Sequence, residues 1–190
     1  MEDCQGLCRI SLMKIEISAI EKGIQCPGLR SLFLSHNYCL ASIFESFFDN
    51  MKYLNVLDLS RTSITSLPDS IGNLKLLKYL NVSGTGIYKL PESLSGLQQL
   101  QFLDVDETYV SDLHSGIEKH KYMLHLNLGG RFECCPVGIS KLIYLQTLNG
   151  VTFDLGESRS ASALQLRDLK GLTLLQHLSI DFKPRLEEGP

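Results

Sequence analysis

Apolar and polar residues recur in one order along most of the chain, with a period of 23 residues at its centre. Leu54, Leu57, Leu59, Thr62, Ile64, Leu67, Pro68 and Ile71 are answered by Leu77, Leu80, Val82, Thr85, Ile87, Leu90, Pro91 and Leu94. They are answered again by Leu100, Leu103, Val105, Thr108, Val110, Leu113, His114 and Ile117. With the opening leucine as position 1, the template is apolar at 1, 4, 6, 11, 14, 18 and 21, Asn or Thr at 9, and Pro at 15. Positions 3 to 7 alternate as a β-strand does. This predicts strands at Ser31–Ser35, Val56–Ser60, Tyr79–Ser83, Phe102–Asp106 and His125–Gly129, parallel and about 4.8 Å apart. Proline near a helix start predicts short helical turns over Asp69–Leu74 and Glu92–Leu97. In Ala41–Met51 the residues Ile43, Phe44, Phe47, Phe48 and Met51 recur at spacings of three and four, which predicts an amphipathic helix.

The same grammar, more loosely kept, covers the flanks. Leu7, Ile10, Leu12 and Ile17 open one unit; Leu29, Leu32, Leu34 and Asn37 open another, with Cys39 in the apolar slot 11. Downstream, Met123, Leu126 and Leu128 open a unit one residue short, in which Phe132 and Cys135 take the roles of positions 11 and 14. Leu145 and Leu148 open the next, and Leu175, Leu178 and Ile180 the last. A period in this range marks a solenoid of leucine-rich repeats. The expected fold class is α/β: a right-handed horseshoe with parallel strands on the concave face and short helices and loops on the convex face. Residues 1–190 read as one array of about eight repeats, with a loop insertion at Asp154–Ala163. Neither end shows the polar cap that closes a solenoid, so the chain reads as a segment that exposes apolar ends. Asn or Thr at position 9 is expected to satisfy backbone groups of the neighbouring coil.

Charge narrows the function. Eighteen basic and 21 acidic residues give a net charge of −3, and a nucleic-acid binder usually carries a basic stripe. No run of apolar residues is long enough to span a membrane, and no apolar stretch follows the polar start, so no secretory signal is read. The six cysteines lack metal-ligand or regular disulfide spacing, which points to reduced thiols in a reducing, intracellular compartment.

Candidate chemistry is sparse. Gly129-Gly130-Arg131 lacks the rest of a phosphate loop and reads as a turn. The five histidines His36, His114, His120, His125 and His177 have no ligand spacing, and Cys134-Cys135 is a poor zinc pair. Asp104 and Asp106 share a face, with Glu107 beside them and Asp58 two strands away, but acid–base work needs a pocket to perturb such groups. The sequon Asn81-Val82-Ser83 lies on a concave strand and reads as coincidental. No catalytic residue, cofactor or metal is expected. What remains is a surface. Position 3 gives Tyr79, Phe102 and His125; position 5 gives Phe33, Asp58, Asn81, Asp104 and Asn127; positions 7 and 8 add Arg61, Asp106 and Glu107. An exposed aromatic column flanked by acids suits a protein contact, with the carboxylates meeting basic residues of a partner.

The runs Phe47–Met51, Leu54–Ser60 and Thr62–Leu74 resemble the leucine-rich repeat region of plant intracellular immune receptors of the nucleotide-binding, coiled-coil class. Arg9–Met13 and Cys26–Leu34 are similar to the stretch that enters that region, and Gly171–Thr173 with Gln176–Ile180 to its continuation after the insert. The resemblance implies an arc that restrains a nucleotide-binding domain and takes part in detecting pathogen proteins. Its protein partner would be a pathogen effector, a guarded host protein or that nucleotide-binding domain, in the cytoplasm or nucleus. Two other classes compete. A small scaffold of the Ras-related leucine-rich repeat group would keep uniform repeats, whereas the spacing here runs 25, 23, 23, 23, 22 and about 30. An ectodomain of a secreted receptor would carry Leu-x-Gly-x-Ile-Pro repeats with several sequons.

Overall fold

The structure is a computed structural model that describes residues 6–20, 26–113, 116–129, 138–153 and 166–182. The insertion at Asp154–Ala163, the Phe132 and Cys135 slots, Cys134, Gly130, Arg131, His114 and the final residues fall outside this range. Among the described residues ten short strands run in chain order: β1 (Arg9–Ser11), β2 (Ala19–Ile20), β3 (Ser31–Phe33), β4 (Ser42–Ile43), β5 (Val56–Asp58), β6 (Tyr79–Asn81), β7 (Phe102–Asp104), β8 (His125–Asn127), β9 (Thr147–Phe153) and β10 (His177–Phe182). Eight form one sheet in the order β1-β3-β5-β6-β7-β8-β9-β10, and β2 pairs with β4 in a second. Every pairing is parallel. The register puts each repeat position on its equivalent, as in Leu57↔Leu80, Leu80↔Leu103 and Leu103↔Leu126. These leucines are fully buried and belong to one continuous core that runs from Cys26 to Leu172.

The five strands that the alternation places, β3 and β5 to β8, begin where expected but end at position 5 instead of 7. The reason is a backbone corner at position 8, where Lys14, His36, Arg61, Gly84 and Glu107 all take a left-handed conformation, with φ between 53° and 66°. The inter-coil ladder continues past the strands to this corner: His36, Arg61 and Gly84 donate their N–H groups to the carbonyls of Ser60, Ser83 and Asp106 at 2.8–2.9 Å. Left-handed backbone costs a side-chain-bearing residue about 1–2 kcal/mol, so four of these five coils hold their corner against local preference.

On the opposite side the helical pieces are 3-10 turns over Asp69–Asn73, Glu92–Gly96, Ile117–Lys119, Ile139–Lys141 and Leu166–Gly171. Pro68 and Pro91 precede the first two with φ of −68° and −67°, the value their rings impose. Ala41–Met51 is not a helix. Ser42–Ile43 pairs with Ala19–Ile20, and the rest is a run of tight turns closed by Phe47→Phe44, Asp49→Ser46 and Met51→Phe48 N–H to carbonyl bonds at 3.0–3.2 Å. Such turns return a residue to the core every three positions. The spacing therefore mimics a helix while burying Phe47, Phe48 and Met51 and leaving Phe44 exposed. Cys39 is likewise exposed, because the next residue, Leu40, occupies the buried slot.

In four coils the polar residue at position 9 ties down the backbone, in two ways. Asn37 reaches its neighbour, donating to the Leu12 carbonyl at 2.6 Å and accepting from Ile15 N–H at 3.0 Å. Asn37 also donates to the Leu34 carbonyl of its own coil at 2.7 Å, and Thr62, Thr85 and Thr108 make only this own-coil bond, to the carbonyls of Leu59, Val82 and Val105 at 2.6–2.9 Å. His120 replaces the leucine of position 21. It is almost fully buried and its Nδ1 donates to the Leu97 carbonyl at 3.0 Å; burial holds its pKa below the ordinary value.

Candidate functional site

The parallel register assembles the sequence-selected residues on one sheet face. Position 3 forms a column through Val56, Tyr79, Phe102 and His125, and position 5 one through Phe33, Asp58, Asn81, Asp104 and Asn127. The Tyr79 ring lies flat on Phe102, with centroids 4.3 Å apart and planes 11° from parallel. His125 continues the column at 6.2 Å with a tilt of 52°, and its Nδ1 lies 3.1 Å from Thr147 Oγ1. This stacking leaves the three rings half-buried instead of freely exposed. They are oriented by one another before anything binds.

The position 5 side chains do more than face solvent. Asp58 Oδ1 accepts from Ser60 N–H at 2.9 Å and Ser60 Oγ at 2.7 Å. Asn81 Oδ1 accepts from Ser83 N–H, and Asp104 Oδ1 from Asp106 N–H, each at 2.9 Å. These are Asx turns, in which a short polar side chain stands in for a backbone acceptor. The spacing Asp58-x-Ser60 carries the signal for this turn, which the alternation of exposed and buried positions does not express. At position 7, Ser35 and Ser60 are buried and Asp106 is half-buried, so this position is not the open one the alternation suggested. Asp106 Oδ1 accepts from Glu107 N–H at 2.8 Å.

Arg61 and Glu107 remain exposed and approach to 3.9 Å across Gly84, a loose surface pair of little stabilising value. Phe33 lies apart from the other aromatics, beneath the Arg9 guanidinium at 4.6 Å. Nothing in the alternation pointed to Arg9.

Burial raises the pKa of Asp104; the Asp106 N–H and the Asn127 side chain oppose this, and the carboxylates of Asp106 and Asp58 add to it. Burial also raises that of Tyr79, whose hydroxyl accepts from Asn81 Nδ2 at 3.4 Å. The face is thus an aromatic strip bordered by carboxylates, one of them partly desolvated. The chemistry of such a strip is complementary to cationic and aromatic groups. Among the described residues no three His, Cys, Asp or Glu side chains come together to hold a metal, and no helix is long and apolar enough to cross a membrane.

Comparison with known proteins gives a consistent picture. The family described as leucine-rich repeat region matches residues 9–189. A putative disease resistance protein of Arabidopsis thaliana is 35% identical over 186 residues, 95% of this chain and 17% of its own length. The disease resistance protein RFL1 of the same plant is 35% identical over 183 residues, again 95% of this chain and 17% of the relative. The chain therefore corresponds to a small part of the relatives it matches. Among solved structures, the functional domain of InlJ from Listeria monocytogenes superposes with a TM-score of 0.70 at 19% identity, over 90% of this chain and 34% of that one.

Proposed function

The chain belongs to the leucine-rich repeat family, and from that premise we propose that it is the non-catalytic recognition segment of a plant disease resistance protein. Its similarity to disease resistance proteins along nearly its whole length supports the class. The proposed partner is a protein: a pathogen effector, a guarded host protein or the nucleotide-binding domain of the same receptor, met in the cytoplasm or nucleus. The contact falls on the concave face of β5 to β8. The observation that carries this reading is the stack of Tyr79 on Phe102 continued by His125, with Asp58, Asp104, Asp106 and Glu107 around it. Pre-oriented aromatic rings lose little conformational entropy on binding, and interface anchors are typically aromatic.

Proximity labelling in leaf cells tests it, with the chain fused to the labelling enzyme and challenged with pathogen proteins. The expected result is a set of plant or pathogen proteins labelled by the parent chain and lost in Tyr79→Ala with Phe102→Ala at equal abundance. Identical labelling by both chains would remove the concave face from the proposal.

A further inference from the structure

The coils ahead of β5 to β10 each close with a β-turn: Leu54 N–H donates to Met51, Met123 to His120 and Leu145 to Leu142, at 2.9–3.0 Å. Turn tips favour Gly, Pro, Asn, Asp and Ser for their backbone or local hydrogen bonding, and nothing at a tip calls for a large apolar side chain. Yet the second tip residue is Tyr53, Leu76, Tyr122, Tyr144 or Leu174 in five of the six turns that precede β5 to β10, each 43–55% exposed. Gln99 is the sixth. Single exposed apolar residues are ordinary. These stand one above another, because the coils are in register, in a column about 24 Å long.

The column is densest where Tyr122, Tyr144 and Ile143 wall one groove with Lys121, Lys141 and Glu118. Its charge is the second observation. Lys52, Lys75 and Lys121 occupy the first tip position ahead of Tyr53, Leu76 and Tyr122, all three exposed. Among the described residues none of these three lysines is joined in a salt bridge; Arg61 and Glu107 pair elsewhere, and Glu118 lines the groove beside Lys121 without pairing with it. A chain of net charge −3 thus sets a basic edge beside an acidic concave face.

We propose that this edge is a second interaction surface, separate from the concave one, that docks an acidic amphipathic helix of a protein partner. The helix would lie along the column, its apolar side on Tyr122, Ile143 and Tyr144 and its carboxylates against the lysines. A strand is the poorer fit, since strand addition needs free backbone groups and a turn closes on its own. A column of this length matches about 16 residues of helix.

The test titrates the full chain against a synthetic helical peptide of about that length, leucine on one side and glutamate on its flanks, followed by fluorescence anisotropy. Binding should weaken at least about tenfold in Tyr122→Ser with Tyr144→Ser, the loss typical of anchor residues. It should weaken comparably in Lys52→Glu with Lys121→Glu, a pair that leaves every apolar contact in place. It should be unchanged in Phe102→Ala, and a lysine-flanked peptide should not bind. The proposal is overturned by absence of binding, by equal binding of the lysine-flanked peptide, or by a loss confined to Phe102→Ala. It is also overturned if the tyrosine pair instead governs sedimentation with phosphatidylserine vesicles, or dimerisation of the chain in the ultracentrifuge.

Discussion

Asp104 serves two roles that pull against each other. Its Oδ1 accepts the Asp106 N–H and so shapes the chain as it leaves β7. Its charge, partly buried and close to Asp58 and Asp106, is disfavoured there, and its pKa lies above the ordinary value. A raised carboxylate pKa means that the native state binds the proton more readily than the unfolded chain. The destabilisation is then fully present above the folded pKa and is relieved as pH falls through it toward the unfolded value near 3.9. Asp104→Asn keeps the acceptor and removes the charge. It should melt higher than the parent at pH 7, with the gap closing by about pH 3, in thermal circular dichroism. An equal gap at both pH values would mean the charge carries no penalty. The face to which Asp104 belongs was legible from alternation, because period-two spacing dictates sidedness. Its half-burial was not, since that depends on what stacks beside it in the next coil.

Among the elements, β9 departs most from its neighbours. It pairs with β10 as Leu148↔Leu178 and then Val151↔Ile180, so one extra residue is accommodated in β9. That bulge contains Gly150, with φ of +73°, the combination of an inserted residue and a left-handed glycine. A Cβ there would also fall on the backbone of Gly129. Gly84 is left-handed too, but its Cβ would meet chiefly the Arg61 side chain, at 3.1 Å. Gly150→Ala should therefore cost about 2–5 kcal/mol, conformational strain plus overpacking, and Gly84→Ala about 1–2 kcal/mol. Urea denaturation of the two variants checks the order, and equal losses would dismiss the backbone clash. The bulge and the missing helix at Ala41–Met51 were hidden for related reasons. A glycine carries no periodicity, and tight turns that recur every three positions carry nearly the same one as a helix.

The molecule as a whole is one core divided among coils that touch only their neighbours, so stability is approximately a sum of coil and interface terms. Leu80 sits in the middle of that spine, packed between Leu57 and Leu103 and fully buried. Leu80→Ala should cost about 2–5 kcal/mol. Tyr79→Ala with Phe102→Ala should cost less, on the order of the 0.5–1.5 kcal/mol an aromatic pair contributes beyond its area, plus part of the area of two half-buried rings. Matching losses in a denaturant melt would make the aromatic column part of the core instead of a surface. The repeat period made the parallel sheet legible from end to end; it said nothing of the turn-tip column, because exposed tips leave no trace in an inward-facing pattern.

The in-register ladder has a further consequence for how the chain finds its fold. Leu57, Leu80 and Leu103 are interchangeable by position, so a nascent coil shifted by one whole repeat would still seat its leucines. Uniformity invites such phase slips; the irregular coils oppose them. Gly150 displaced from beside Gly129 would leave a bulkier residue to meet that backbone. Such a departure from the beat acts as a registration mark, at which a slipped array meets a collision.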